Sequence, residues 1–180
     1  MKRIPLLLTA AALTAMLVSS AAVGATEKTT THMSSPDMAA VLLAANLSEV
    51  EVAEAAMSQL AAADVKNFAN MLIVDHKRAL TNVKNVLAAN KIVAHVAAPD
   101  AVKIRDKSQH LVTNFSTSNA NIDRQYIVAE IEGHEQLLDL MDHAMIPAAH
   151  GDVLTMLQSL RFTVDQHLER ARLILGTLAK

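Results

Sequence analysis

Four glycines and four prolines are all that interrupt these 180 residues, and several of them sit where an apolar periodicity stops. Between Pro36, Pro99, Pro147 and Gly151 run long stretches in which alanine, leucine, valine and methionine recur every three or four residues. Such spacing, with few aromatics and no alternating pattern, predicts helices and no strands.

The first helix is expected from about Pro36 to Ala62, entered through Ser35-Pro36-Asp37, with Leu43, Leu47, Val50, Met57 and Leu60 in its stripe. Asp64 is the expected cap of a second helix reaching about Asn90, whose stripe runs Val65, Phe68, Leu72, His76, Ala79, Val83 and Leu87. After a linker around His95 to Pro99, a shorter helix fits Asp100 to about Phe115. A third long helix fits Asn121 to Ile146, with Ile127, Glu130, Ile131, His134, Leu138, Met141 and Met145 on one face. Gly151-Asp152 breaks and recaps the chain before a last helix carrying Val153, Leu157, Leu160, Val164, His167, Ala171, Ile174 and Leu178.

Two hairpins joined by one long crossover give an all-α fold, a ferritin-like antiparallel four-helix bundle with a short extra helix between helices two and three. The alternative is plain up-down topology with the extra helix packed outside. Residues 1–25 read as a secretory signal peptide: Lys2 and Arg3 lead an apolar run, and Val23-Gly24-Ala25 supplies small residues at a cleavage point. Residues 26–35 form a polar leader expected to be flexible, and 36–180 the bundle domain. The expected location is therefore periplasmic or secreted, with envelope association open. No later segment is apolar for long enough to cross a membrane.

Without the signal, 14 basic residues face 18 acidic ones, and with one tyrosine and three phenylalanines the chain is a poor candidate for nucleic-acid binding. The absence of cysteine removes disulfides, thiolate metal sites and thiol nucleophiles. No catalytic triad order, phosphate loop or paired-acid signal supports a hydrolase. A protein partner and the oligomeric state stay open, a homo-oligomer included.

Three histidines lie inside apolar stripes, one on each of three long helices: His76, His134 and His167. Residues equidistant from the turn of an antiparallel hairpin share a level. His134 and His167 are centred on the Gly151 turn, and Glu49 and His76 on the Ala62-Ala63 turn. All four therefore fall in one layer near mid-height, a carboxylate and three imidazoles suited to a transition metal such as zinc, copper or iron. Glu49 lies about 80° off its stripe, taking 100° per residue, and Glu54 is nearer the stripe but about one turn off level. Asp75, Asp123, Tyr126 and Glu130 are candidates for the surrounding shell, and Glu130, one turn before His134, could orient that ring or ligate directly. The competing reading is a metal-free polar layer in which His, Glu and Asp satisfy one another.

Glu49-Val50-Glu51-Val52, the run Val65-Lys66-Asn67-Phe68-Ala69-Asn70-Met71 and the pair Asp75-His76 resemble the bacterial exported ferritin-like family labelled domain of unknown function 4142. Ile122-Asp123-Arg124-Gln125-Tyr126, Gly133-His134 and His167 extend the resemblance over about residues 38–178. Ile122 and Ala53 depart from that family's phenylalanine and glycine. The resemblance implies an exported ferritin-like bundle and supplies no reaction. A diiron oxidase is disfavoured, because Ile73 and Val164 stand three residues before His76 and His167, where a Glu-x-x-His pair needs acids. The main expectation is a metal-binding bundle without a catalytic residue. The alternative is an envelope-associated or stress-related interaction protein.

Overall fold

Ser34 starts the first helix: its Oγ accepts from the Asp37 N–H at 3.2 Å, and Pro36 occupies the first turn, where a missing N–H costs nothing. This places the cap one residue ahead of the expected Ser35. The computed structural model describes residues 32–118 and 121–178, so the expected signal peptide and residues 26–31 of the leader lie outside the described residues. Within these bounds the chain forms α1 (Ser35–Ala56), α2 (Ala63–Ala89), α3 (Pro99–Thr117), α4 (Asp123–Leu140) and α5 (Gly151–Leu178), with no strand. α4 is extended by a wider π-helical turn, Met141–Met145, and a tight turn, Ile146–Ala148, so the helix expected to run evenly to Ile146 changes pitch before Pro147. At the other end of the described region, the Met33 N–H donates to the Ala144 carbonyl at 3.1 Å, which ties residue 33 to the α4–α5 turn.

The five helices alternate in direction. Two apolar clusters show this. The first joins the start of α1 (Met38, Val41, Leu42) to the end of α2 (Val83, Leu87), Ala98 and Ala101 at the start of α3, Met141 and Met145 beyond α4, and the start of α5 (Val153, Leu157). The second joins the end of α1 (Ala53, Ala56) to the start of α2 (Phe68, Leu72), Phe115 of α3, the start of α4 (Tyr126, Ile127) and the end of α5 (Ala171, Ile174). α1 and α2 thus form one antiparallel hairpin and α4 and α5 the other, with α3 returning the chain between them, as the crossover arrangement requires.

α3 does more than connect. It lies along α1, and α1 consequently buries residues on nearly every side, leaving Leu47, Glu51 and Glu54 as its exposed strip. Alanines at 39, 40, 44, 45, 53 and 56 make this possible, since small side chains let several helices approach one axis. Leu47, expected in the core stripe, is 46% exposed for the same reason: on a helix enclosed by several neighbours, a single stripe no longer defines the inside.

A second departure concerns α2. Asp64 does not cap it; Ala62 stands at the cap position without a side-chain bond. The partner comes from 61 and 62 residues away: Asp123, buried at the start of α4, accepts from the Ala61 and Ala62 N–H groups, both at 2.9 Å. Asp123 is in turn set by Asn121, whose Oδ1 accepts from the Asp123 N–H at 2.8 Å. A carboxylate at this point satisfies amide donors and complements the positive end of the helix.

Candidate metal centre

Between the two apolar clusters lies a buried polar layer of Asn46 (α1), His76 (α2), Glu130 and His134 (α4) and His167 (α5), with half-buried Glu49 of α1 beside it. The equidistance argument covers four of them, Glu49, His76, His134 and His167, and these stand at one level. The three imidazoles converge. Ring centroids are 5.9 Å apart for His76–His134, 5.3 Å for His76–His167 and 5.5 Å for His134–His167. One ring nitrogen of each lies within 4.8 Å of the others.

The outer nitrogens decide the tautomers. Asn46 donates its Nδ2–H to the Leu42 carbonyl at 2.8 Å, so its Oδ1 faces His76 Nδ1, 3.0 Å away, and can only accept. His76 Nδ1 therefore carries the hydrogen. His134 Nδ1 donates to the Glu130 backbone carbonyl at 2.8 Å. His167 Nε2 donates to Asp75 Oδ2 at 3.1 Å, and the other Asp75 oxygen accepts from Arg78 at 2.7 Å. What remains on the inner side is His76 Nε2, His134 Nε2 and His167 Nδ1, each buried and without a hydrogen-bond partner. Three bare lone pairs face one another with no donor among them. Metal-bound histidines are held in this way, the outer N–H fixed by a carboxylate, carbonyl or amide and the inner nitrogen free to ligate.

The carboxylates meet the triad at one corner. Glu49, Glu130 and His134 each offer an atom within 4.8 Å of the other two. Glu49 Oε2 and Glu130 Oε2 are buried and unpartnered as well. Burial, then the adjacent Glu49 carboxyl, holds Glu130 well above the ordinary carboxylate range. For Glu49 burial acts in the same upward sense, but His134, a bond from Glu130, and then His76 and His167 outweigh it and leave the group below its usual value. The pair thus divides into an ionised Glu49 and a protonated Glu130. Tyr126 is fully buried near both, and burial, followed by the neighbouring Glu130 and Glu49 carboxyl groups, pushes its hydroxyl well above the usual tyrosine range.

The expected shell is redistributed. Asp75 orients His167, and Glu130 orients His134 through its backbone carbonyl while its carboxyl stays inside the layer. Asp123 does not orient a ligand; both its oxygens serve the α1–α2 turn, because that turn presents amides that no local side chain caps. Glu54, the alternative carboxylate, stands on the exposed strip of α1 and pairs with Lys77 at 2.7 Å. Asn46 was not anticipated, although the rule that levelled Glu49 with His76 reaches it within one turn.

Titration of the metal-free layer has a defined sign. Burial, against the pull of Glu49, lowers His76 to about 4, and burial followed by His134 lowers His167. In the unfolded chain a histidine titrates near 6.5, so between about 6.5 and 4 the unfolded state holds a proton that the folded state lacks. Stability from His76 is complete above 6.5 and lost as the pH falls through 4, an effect of about 3 kcal/mol. Glu130 works in the opposite direction, costing stability above its unfolded value. A Glu130→Gln variant is therefore expected to lose about 3 kcal/mol between pH 7 and pH 4 in urea titrations of the metal-free protein. Adding His76→Asn should flatten most of that slope.

No curated protein and no solved structure shows a significant match to the chain. A family model described as "Domain of unknown function (DUF4142)" matches residues 20–174, a span that includes every residue of the polar layer, and the chain belongs to that family.

Proposed function

We propose that this is an exported, ferritin-like metal-binding protein that holds one transition-metal ion, zinc, copper or iron, at mid-height in its bundle. His76 Nε2, His134 Nε2 and His167 Nδ1 would hold the ion, and Glu49 would supply the balancing negative charge from the His134 side. Neutral imidazoles with a carboxylate form a donor set for these borderline cations.

One observation carries the reading: three inward nitrogens, all acceptors, share a buried space and none has a hydrogen-bond partner. The Glu130 proton lies at the His134 corner alone, so a metal-free layer would still need a protonated imidazole to bond His76 and His167. Burial opposes that charge at His76 and His167. A cation resolves the conflict at all three rings at once. Export is proposed from the first 25 residues alone, and no catalytic role is assigned to any side chain.

The test is elemental analysis by mass spectrometry of the protein expressed from its full sequence without an affinity tag, beside His76→Ala and His134→Ala. Near-stoichiometric metal in the parent and its loss from both variants is the expected result. A parent that stays metal-free after incubation with zinc, copper and iron salts would leave the layer as a structural one.

A further inference from the structure

The outward face of α5 carries two large apolar side chains. Its inward face packs through Leu157, Leu160, Val164, Ala171 and Ile174. Taking 100° per residue, Phe162 and Leu173 fall within about 20° of each other and directly opposite that buried face. They are 66% and 74% exposed. The other phenylalanines of the chain, Phe68 and Phe115, are buried. Single exposed apolar residues are ordinary on a protein surface. Two that return to one line after about three helical turns define a seam.

The residues between and beside them complete the line. Ser159, Phe162, Gln166, Glu169, Leu173 and Gly176 are all exposed and follow one another in alternating steps of three and four. That is the repeat by which two helices pack along a shared seam. The pairs Phe162/Leu173, Gln166/Glu169 and Ser159/Gly176 have one common midpoint, between His167 and Leu168. Turned over about that midpoint, the face meets itself layer for layer. Phe162 lies against Leu173 of the copy. Gln166, whose amide donates, lies against the copy's Glu169, whose carboxylate accepts. Ser159 lies against the copy's Gly176, where nothing stands within 4 Å of an added Cβ and the two helices can approach closely. On one flank Asp165 comes within about 3 Å, along the axis, of the level of the copy's Arg172, at 1.5 Å per residue. Arg172 holds Glu135 at 2.7 Å but keeps 55% of its side chain exposed, so its guanidinium can serve both acids.

We propose that this face of α5 is a dimer interface between two copies of the chain, packed antiparallel about a twofold axis. Apolar contacts close each end of the seam, and the central Gln166–Glu169 layers fix the register, as polar residues in such seams do. The interface uses no residue of the buried polar layer.

A contact through one helix falls in the small interface class, below about 1,200 Å². Sedimentation velocity of the protein expressed from its full sequence is expected to show dimers at roughly 100 µM that dissociate on dilution. Phe162→Glu and Leu173→Glu should each raise the dissociation constant about a hundredfold, because a twofold contact loses every layer twice. Both positions are exposed, so circular dichroism should stay that of the parent. The register has its own test, since the chain contains no cysteine. Ser159→Cys and Gly176→Cys proteins, mixed and oxidised, should cross-link to each other. Ser159→Cys alone should not, because its two thiols would lie about 25 Å apart along the axis. A parent that is monomeric at that concentration, a dimer that withstands both glutamates, or Ser159→Cys cross-linking as readily alone as in the mixture would overturn the assignment.

Discussion

Zinc added in large excess to the metal-free protein is expected to raise its thermal unfolding midpoint by roughly 10 °C. An ion that binds only the folded chain stabilises it by about 4 kcal/mol at a thousandfold excess over its dissociation constant. For a domain of this length each kilocalorie is worth about 2–4 °C. His134→Ala should abolish nearly all of the shift, because His134 is the one residue common to the imidazole triad and the carboxylate corner. Asn46→Leu should reduce metal affinity by about 10–100-fold, the usual effect of removing a group that holds a ligand's ring. Scanning fluorimetry with and without each metal reads both effects. A parent protein that shifts by less than a degree with zinc, copper and iron alike would remove the case for an ion.

Asp123→Ala is expected to cost about 3–5 kcal/mol in urea unfolding while leaving metal content unchanged. The carboxylate is buried and accepts two amide hydrogen bonds of 2.9 Å. Each such bond to a charged acceptor contributes about 1.5–3 kcal/mol, and its loss strands a partly buried N–H. The variant also removes the only side-chain acceptor described for these amides at the start of α2. Asp123→Asn retains one acceptor and should cost about half as much. Full metal occupancy in a weakened protein would separate this residue's role from that of the layer, whereas parallel loss of metal would return Asp123 to the site.

The layer was legible in the sequence because heights along a hairpin follow from counting. His134 and His167 are equidistant from one turn, and Glu49 and His76 from the other, so their level needed no knowledge of packing. The helices were legible for a related reason: prolines and a glycine mark their edges. Facing is different. Glu49 looked misplaced because a single apolar stripe was assumed for α1, and the flanking α3 gives that helix a second inside. Leu47 failed on the same assumption in the opposite direction. Asp64 looked like a cap from local pattern, but the acceptor near that turn comes from Asp123, a long-range contact that no local rule contains. Asn46 gave no signal beyond being polar in an apolar run.

The enclosure of α1 also bears on the order in which the molecule is made. Synthesis delivers α1 before any of the helices that cover it, and α3, which lies along it, is complete only at Thr117. During that interval a helix with almost no polar face has nothing to pack against except the rest of an unfinished chain. Nascent segments of this kind are prone to wrong association. The packing that encloses α1 between α2 and α3 therefore gives a fold whose first helix is covered only after two later helices have been made.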